Sequence, residues 1–223
     1  MTKKIQVLSS AEGYNLAAKY YDEKEKYLNS FEQGKLFSML GDVSGHHTKN
    51  FGVVAGKKIL DVGAGTGRAS LYLAKRGACV TALDISPKML EMLKRKILRP
   101  EIMKQIQYDI TTVVGDAENL PFANETFDIV LAAFLIAHLK DPRRFFDEVY
   151  RVLKDGGIFV VTNINQKDPP LVKTGGVEVL IESYYHRPEK IRAFLEELSF
   201  GVEKEIFVKE NEQWVNQILC ARK

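Results

Sequence analysis

A short apolar run that ends in a glycine-rich turn constrains the fold of this chain more than any other feature. Residues 58–62 have the sequence KILDV, which is apolar, β-branched and typical of a strand buried on both faces. A turn with glycines at 63, 65 and 67 follows, and residues 67–75 have the apolar spacing of a helix. This order of strand, glycine turn and helix predicts the first unit of an α/β sheet that binds its ligand at the strand ends.

The alternation of strands and helices continues through the middle of the chain. Further strands are predicted at 79–83, 106–114, 127–133 and 157–162, and helices at 87–98, 142–153 and 188–198. The last two strands, 202–208 and 213–221, lie too close for a crossover helix and are expected to form a hairpin. We therefore predict a Rossmann-like, doubly wound α/β sheet of seven strands, mostly parallel with an antiparallel C-terminal hairpin strand, plus N-terminal helices.

The segments outside this alternation are predicted to form a cap and a lid. Apolar residues recur at roughly helical spacing from Glu12 to Leu40, which predicts helical structure. Residues 41–56 have the glycines of a loop, with a short helix within it as the alternative. We expect an N-terminal helical cap over 1–56 and a core domain over 57–223. Within the core, residues 163–187 contain paired prolines and paired glycines and are predicted to form a variable lid or pocket wall.

Composition and charge argue against several classes of protein. Of the 223 residues, 45% are hydrophobic and 27% charged, which suits one globular domain with appendages. The formal charge of +3 is spread along the chain, so neither nucleic acid nor an acidic membrane is an expected partner. No apolar run is long enough for a membrane span or a signal peptide, so we expect a cytoplasmic protein. His46 and His47 lack neighbouring ligands, and no metal site is predicted.

The residues of the glycine turn distinguish between two classes of ligand. The dinucleotide pattern G-x-G-x-x-G requires a third glycine at the position that Arg68 occupies. Asp61 stands two residues before Gly63, where it would repel a pyrophosphate but favour a sulfonium or an ammonium group. The turn therefore favours a cationic ligand over a nicotinamide dinucleotide, although Asp61 can also cap backbone amides of the turn.

Acidic residues also follow the next two predicted strands. Asp84 lies 21 residues after Gly63, where a carboxylate can accept hydrogen bonds from both ribose hydroxyls of an adenosine. Asp116 follows the third strand and can accept from an adenine amino group, while the amide of Ala117 donates to the ring. Acids at three successive strand ends predict a ligand that contains adenosine and carries positive charge.

Five segments resemble the successive motifs of class I S-adenosylmethionine-dependent methyltransferases: ILDVGAGTGR, VTALDIS, GDAENLPF, FDIVLAAFLIAHL and RVLKDGGIFVVTN. The resemblance covers about residues 57–162 and is greatest to the small-molecule group that includes the ubiquinone- and menaquinone-biosynthesis methyltransferases. It implies that the cofactor is S-adenosylmethionine. It also implies a set of cofactor-binding residues: Tyr20, Tyr21, Asp61, Gly63, Ala64, Gly65, Arg68, Asp84, Ile85, Met89, Asp116, Ala117, Glu118, Ala133 and Phe134.

The resemblance assigns a part of the cofactor to several of these positions. Gly63 and Gly65 would line the methionine portion, Asp84 would bind the ribose, and Ile85 would pack against adenine. Asp116 and Ala117 would lie at the adenine edge, and Ala133 and Phe134 near the methionine amino group and the methyl donor. Aromatic residues of the N-terminal segment are candidates for closing over the cofactor: Tyr14, Tyr20 and Tyr21. The alternative is that these tyrosines pack in the apolar core against which the N-terminal helical segment lies.

Methyl transfer from a sulfonium is an in-line displacement that depends mainly on positioning, so it requires neither a catalytic triad nor a metal. A base is needed only where the acceptor must lose a proton. His138 is the candidate catalytic base, with a structural hydrogen bond as its alternative role. Tyr184, Tyr185 and His186 are weaker candidates for the base.

The short predicted lid favours a small-molecule acceptor, which the sequence does not identify. The DPPL sequence at 168–171 lies beyond the fifth strand and not after the fourth, which argues against methylation of nucleobases. A non-catalytic protein that binds S-adenosylmethionine or S-adenosylhomocysteine remains the alternative function. A nucleotide-dependent oxidoreductase is disfavoured by Arg68.

Overall fold

A seven-stranded sheet forms the centre of the computed structural model, which describes residues 6–40, 54–174 and 177–223. Its strands have the following bounds: β2 Lys58–Val62, β3 Cys79–Asp84, β4 Thr111–Val114, β5 Phe127–Ala132, β6 Leu153–Ile164, β9 Gly201–Glu210 and β10 Gln213–Arg222. Their order across the sheet is β4-β3-β2-β5-β6-β10-β9. The chain first builds outward from β2 to β4 and then returns to the other side of β2, which creates a topological switch point between β2 and β5.

The directions of these strands confirm the predicted fold class. Pairing is parallel from β4 through β6, whereas β10 runs antiparallel to both β6 and β9. The C-terminal hairpin therefore supplies the antiparallel strand. The carboxyl ends of β2, β3, β4 and β5 lie at one edge of the sheet, as they must when these strands are parallel.

Helices cover both faces of the sheet. Their bounds are α4 Arg68–Ala74, α5 Pro87–Ile97, α6 Pro100–Met103, α7 Arg143–Val152 and α8 Pro188–Glu197. Leu60 belongs to the core on the side of α7 and α8, whereas the adjacent Ile59 belongs to the core on the side of α4 and α5. Burial on both faces explains why the strands are continuously apolar. Within the described ranges, no helix has both the length and the apolar character that a membrane span requires.

Two strands differ from their predicted bounds by more than two residues. The strand predicted at 106–114 is wrong over its first half, because only Thr111–Val114 pair with β3. The strand predicted at 157–162 extends in both directions to Leu153–Ile164. Partner strands set these limits, since β10 continues the pairing as far as Ile164, and apolar patterning alone does not report where a partner ends.

The segment predicted to be helical over Glu12–Leu40 is divided into several helices. The structure has α1 Ser10–Ala17, a 3-10 helix Ala18–Lys24, α2 Glu25–Glu32 and α3 Lys35–Ser38. Gln33 and Gly34 have positive φ values of 47° and 72°, and these left-handed torsions separate α2 from α3. Most of the loop predicted at 41–56, including His46 and His47, lies outside the described residues.

A second sheet of three strands, within the described residues, was not predicted. β1 Gln6–Leu8, β8 Val177–Ile181 and β7 Leu171–Thr174 pair in the order β1-β8-β7, with β1 parallel to β8 and β7 antiparallel to β8. The apolar runs of β7 and β8 flank two glycines in sequence, which is a hairpin signal. The sheet packs on α1 and on Met89 of α5, so the predicted cap and the predicted lid contact each other.

Gly67 is the glycine whose replacement tests the packing of the turn. Its φ is +89°, and a Cβ there would lie 2.1 Å from Cδ1 of Leu93. Gly156 provides a matched control, because its φ is +72° and a Cβ there would meet nothing within 4 Å. We expect Gly156→Ala to cost about 1–2 kcal/mol from left-handed strain alone.

Gly67→Ala should cost about 1–3 kcal/mol more than the control, because it adds steric overlap in the core. Chemical denaturation of both variants measures the difference in the free energy of unfolding. Equal losses in the two variants would contradict the close approach of α5 to the turn.

Candidate functional site

A cavity of about 270 Å³ opens where the carboxyl ends of β2, β3, β4 and β5 meet. Gly63 and Gly65 line it after β2. Asp84 and Ile85 line it after β3, together with Met89 from α5. The parallel sheet brings these strand ends to one edge. The fold itself therefore places the residues that are predicted to bind the ligand side by side.

The other half of the cavity is formed by the ends of β4 and β5. The predicted site residues found there are Asp116, Ala117, Glu118, Ala133, Phe134 and His138. Phe134 has a φ of +60°, which is rare for an aromatic residue, and its amide donates to the hydroxyl of Thr162 at 2.8 Å. This hydrogen bond holds the turn after β5 against β6.

The N-terminal segment closes one side of the same cavity. Tyr14 and Tyr21, two of the three tyrosines that are candidates for closing over the cofactor, line it. Four other predicted residues do not line the cavity, although all of them lie in the described part of the chain: Tyr20, Asp61, Ala64 and Arg68. Tyr20 is 37% exposed on the outside of the 3-10 helix, and Ala64 is buried within the turn.

The Asp84 carboxylate connects the first two strand ends. Its Oδ2 accepts from the amide of Gly65 at 2.7 Å, and its Oδ1 accepts from the amide of Ser86 at 2.8 Å. Burial raises the pKa of Asp84, while these two backbone hydrogen bonds oppose the increase. A carboxylate offers about four acceptor positions, so each oxygen keeps one for a ligand in the cavity.

Asp61 lies beneath the glycine turn, where it is 2% exposed. The hydroxyl of Ser70 in α4 donates to its Oδ2 at 2.6 Å, which ties the end of β2 to the helix that follows. Burial raises the pKa of this carboxyl to about 6, although the Ser70 hydrogen bond and the charge of Arg68 both oppose the shift.

Arg68 attaches the N-terminal segment to the turn. Its Nη1 and Nη2 donate to the two carboxylate oxygens of Glu32 in α2 at 2.7 and 2.6 Å, and Nη1 also reaches Oδ1 of Asn29 at 3.1 Å. The side chains of Arg68 and Glu32 are only 17% and 3% exposed. The guanidinium is therefore engaged in a bidentate ion pair between α4 and α2.

His138 is hydrogen-bonded at both ring nitrogens. Its Nε2 lies 2.6 Å from the hydroxyl of Tyr14, and its Nδ1 lies 2.9 Å from the backbone carbonyl of Glu182. Burial lowers the pKa of His138 and raises that of Tyr14 well above its ordinary value. The imidazole and the phenol are both uncharged at neutral pH.

A smaller cavity of about 90 Å³ adjoins the main one and shares four side chains with it: Tyr14, Tyr21, Phe134 and His138. Apolar residues of α2, β6 and β7 form much of its remaining wall: Leu28, Phe31, Ile164 and Val172. We call this space the apolar cavity. It lies between the N-terminal segment and the predicted lid.

Several residues of the main cavity were not predicted. Ser9, Ser10 and Ala11 line it from the start of α1. The sequence carried a signal for this helix start, because Ser9 and Glu12 form a capping box in which each side chain bonds the other's amide. Glu182 also lines the cavity, but only the pairing of β1 with β8 brings it there.

The weaker candidates for a base lie in a different place. Tyr184, Tyr185 and His186 line an open groove beside α7 and α8. His186 Nε2 lies 3.0 and 2.9 Å from the backbone carbonyls of Ile136 and Leu139, so it carries the proton and stabilises the turn before α7.

Comparisons with known proteins identify the family. Residues 60–161 match the family model of a methyltransferase domain. A demethylmenaquinone methyltransferase from Lactobacillus johnsonii is 30% identical over 191 residues, which are 83% of this chain and 70% of that protein. The chain belongs to the class I S-adenosylmethionine-dependent methyltransferases.

Other relatives within this methyltransferase family match a shorter stretch. A demethylmenaquinone methyltransferase from Clavibacter sepedonicus is 38% identical over 128 residues, which are 57% of this chain and 49% of that protein. The chain thus spans about half the length of several curated relatives that it matches.

Solved structures share the fold. Magnesium protoporphyrin IX methyltransferase from Synechocystis PCC 6803, solved with bound SAM, has a TM-score of 0.69 and 18% identity over 95% of this chain and 94% of that one. At this level of identity the likeness shows the Rossmann-like methyltransferase fold alone.

The raised pKa of Asp61 predicts a specific pH dependence of stability. The folded protein holds this proton more tightly than the unfolded chain, in which the pKa is near its ordinary value of 3.8. The stabilising contribution of Asp61 to the free energy of unfolding is therefore fully present below pH 3.8 and is lost as the pH rises through about 6. The whole shift corresponds to about 3 kcal/mol.

Asp61→Asn keeps an acceptor for Ser70 and removes the charge. Its free energy of unfolding relative to the wild type should increase by about 2–3 kcal/mol between pH 4 and pH 7.5. Asp109→Asn, which removes an exposed carboxylate, is the control. Urea titrations across this pH range measure the free energy of unfolding of each protein. If it changes with pH in the same way for Asp61→Asn and for the wild type, burial does not raise the pKa of Asp61.

Proposed function

We propose that the chain binds S-adenosylmethionine in the main cavity and transfers its methyl group to a small-molecule acceptor. The observation that supports this most strongly is the convergence of Gly63, Gly65, Asp84 and Asp116 at three adjacent strand ends. These groups match the parts of the cofactor in the order in which the strands lie.

The residues of the cavity fit the methionine and ribose portions. Gly63 and Gly65 have φ values of +72° and +56°, so side chains would be strained there, and both glycines present their backbone to the cavity. Asp84 keeps acceptor capacity on both oxygens for two ribose hydroxyls. Tyr21 lies above the turn, with a ring carbon 3.8 Å from the position of a Cβ at Gly65.

The opposite wall fits the adenine ring. Ile85 is 42% exposed directly after a buried strand, and an aromatic ligand in the cavity would cover this apolar surface. Asp116 accepts from the amide of Glu118 at 2.9 Å through Oδ1, which leaves Oδ2 for an adenine amino group. The amide of Ala117 is next to it and can donate to the ring.

When bound, the cofactor supplies an electrophilic methyl group on a positively charged sulfur. The contribution of the protein is to place an acceptor in line with that group and to exclude water, and effective molarities on the order of 10⁵ M illustrate how much positioning can supply. We assign the acceptor to the apolar cavity, because it adjoins the main cavity across Phe134 and Tyr21.

The apolar walls support an acceptor with a flat, uncharged ring, and a quinol agrees with the demethylmenaquinone methyltransferases among the relatives. We also propose that the protein acts in the cytoplasm, and that its acceptor is a free small molecule and not a nucleic acid. A protein that binds the cofactor without transferring methyl is the second candidate, since binding and catalysis use the same turn.

Calorimetry with S-adenosylmethionine, S-adenosylhomocysteine and NAD tests the binding half of the proposal. We expect the first two ligands to bind and NAD to show no heat. Asp84→Asn should weaken both by at least about tenfold, since a lost hydrogen bond to a charged group costs about 1.5–3 kcal/mol. Asp109→Asn should bind as the wild type does. Binding of NAD alone would overturn the proposal.

Formation of S-adenosylhomocysteine tests the catalytic half. The acceptor panel consists of 1,4-naphthohydroquinone, simple phenols, amines and small acids, under anaerobic conditions. We expect turnover with the naphthohydroquinone. Tight binding of S-adenosylmethionine without product from any acceptor would favour the non-catalytic candidate.

A further inference from the structure

The hydrogen bond between Tyr14 and His138 lies where the main cavity and the apolar cavity meet. The hydroxyl oxygen and Nε2 are 2.6 Å apart, and the two rings pack edge to face with centroids 5.1 Å apart. Both side chains line both cavities. The pair therefore borders the cofactor space on one side and the acceptor space on the other.

The second contact of the imidazole fixes the direction of this hydrogen bond. The Glu182 carbonyl, 2.9 Å from Nδ1, can only accept, so Nδ1 carries the proton of the neutral ring. Nε2 is then the basic nitrogen, and the Tyr14 hydroxyl donates to it. Because the hydroxyl of Tyr14 occupies Nε2, a ligand in the apolar cavity exchanges a proton with this nitrogen through the Tyr14 oxygen.

Burial keeps both members of the pair neutral, because it lowers the pKa of His138 and raises that of Tyr14. Tyr21, itself an uncharged phenol, lies 5.8 Å from Tyr14 between ring centroids. Asp84 lines the same cavity, and its negative charge raises the pKa of Tyr14 further. The carboxylate of Glu182 accepts from the hydroxyl of Tyr184 at 2.5 Å, and so the side chain of Glu182 has a partner other than His138.

We propose that Tyr14 and His138 form a two-step proton relay that serves an acceptor carrying a weakly acidic hydroxyl group. The proposal rests on the methyl transfer proposed above and extends it to the chemical class of the acceptor and to a catalytic role for Tyr14. In the relay, the hydroxyl proton of the acceptor moves to the Tyr14 oxygen while the proton of Tyr14 moves to His138 Nε2.

The relay accounts for the proton that the reaction releases. As the methyl group bonds to the acceptor, its bond to sulfur breaks and the electron pair of that bond stays on sulfur, which leaves neutral S-adenosylhomocysteine. The acceptor loses one proton, and the imidazole gains one. The positive charge of the methyl donor disappears in the same reaction, so the cavity holds one positive charge before and after. The Glu182 carbonyl, at 2.9 Å from Nδ1, stabilises the imidazolium that results.

Tyr14→Phe and His138→Asn break the relay at its two steps, and Tyr108→Phe, an exposed tyrosine before β4, is the control. With 1,4-naphthohydroquinone at pH 7, each relay variant should lower kcat at least about 100-fold, with the KM for S-adenosylmethionine within a factor of three. The double variant should be no slower than the slower single variant, because the two residues act as a unit. The control should match the wild type.

The pH profile separates a relay from a structural role. The loss of kcat should shrink as the pH rises from 6 to 9.5, since an acceptor that ionises in water no longer needs the relay. A loss of equal size at every pH, or an unchanged kcat, overturns the proposal.

Nitrogen NMR of His138 in the complex with S-adenosylhomocysteine gives a readout that does not depend on an acceptor. The wild type should show the proton on Nδ1, and Tyr14→Phe should raise the His138 titration midpoint because Nε2 loses its donor. A proton on Nε2, or an unchanged midpoint in Tyr14→Phe, overturns the relay even where no acceptor turns over. Absence of turnover with intact cofactor binding counts against the proposed transfer itself.

Discussion

The geometry of the site depends on two hydrogen bonds that the Asp84 carboxylate accepts from backbone amides. One oxygen accepts from Gly65 in the first turn, and the other accepts from Ser86 at the start of α5. The Leu83 carbonyl accepts from Gly63 and Ala64, so the second strand holds the first turn in place from both backbone and side chain. The hydrogen bonds from the amides of Gly65 and Ser86 offset part of the free-energy cost of burying the Asp84 carboxylate. Buried polar groups in proteins usually have such partners.

The N-terminal segment completes the cavity through a small number of polar contacts. Arg68 joins the turn to α2, Thr66 donates to Asp22 at 2.5 Å, and Lys96 donates to the same Asp22 oxygen at 2.6 Å. Asp22 is the neighbour of Tyr21 in the chain, so these contacts anchor the segment that carries Tyr21 beside the main cavity.

The sequence was sufficient for the sheet and for most of the cavity wall, because strand ends in a parallel sheet must meet at one edge. The fold class and the family are confirmed, whereas the roles of the individual cofactor residues remain predictions. The family resemblance assigned Arg68 and Asp61 to the cofactor, and a charge argument supported Asp61. Their nearest partners, Glu32 and Ser70, depend on helix packing, which a charge pattern does not report. The partnership of β1 with β8 joins segments about 170 residues apart and had no local signal.

A crystal structure of the chain with S-adenosylhomocysteine would show directly whether the cofactor binds in the main cavity. We expect both ribose hydroxyl oxygens within hydrogen-bond distance of the Asp84 carboxylate, the adenine against Ile85 and the amino-acid portion over Gly63 and Gly65. A ligand bound outside this cavity, or a ribose that makes no contact with Asp84, would contradict it.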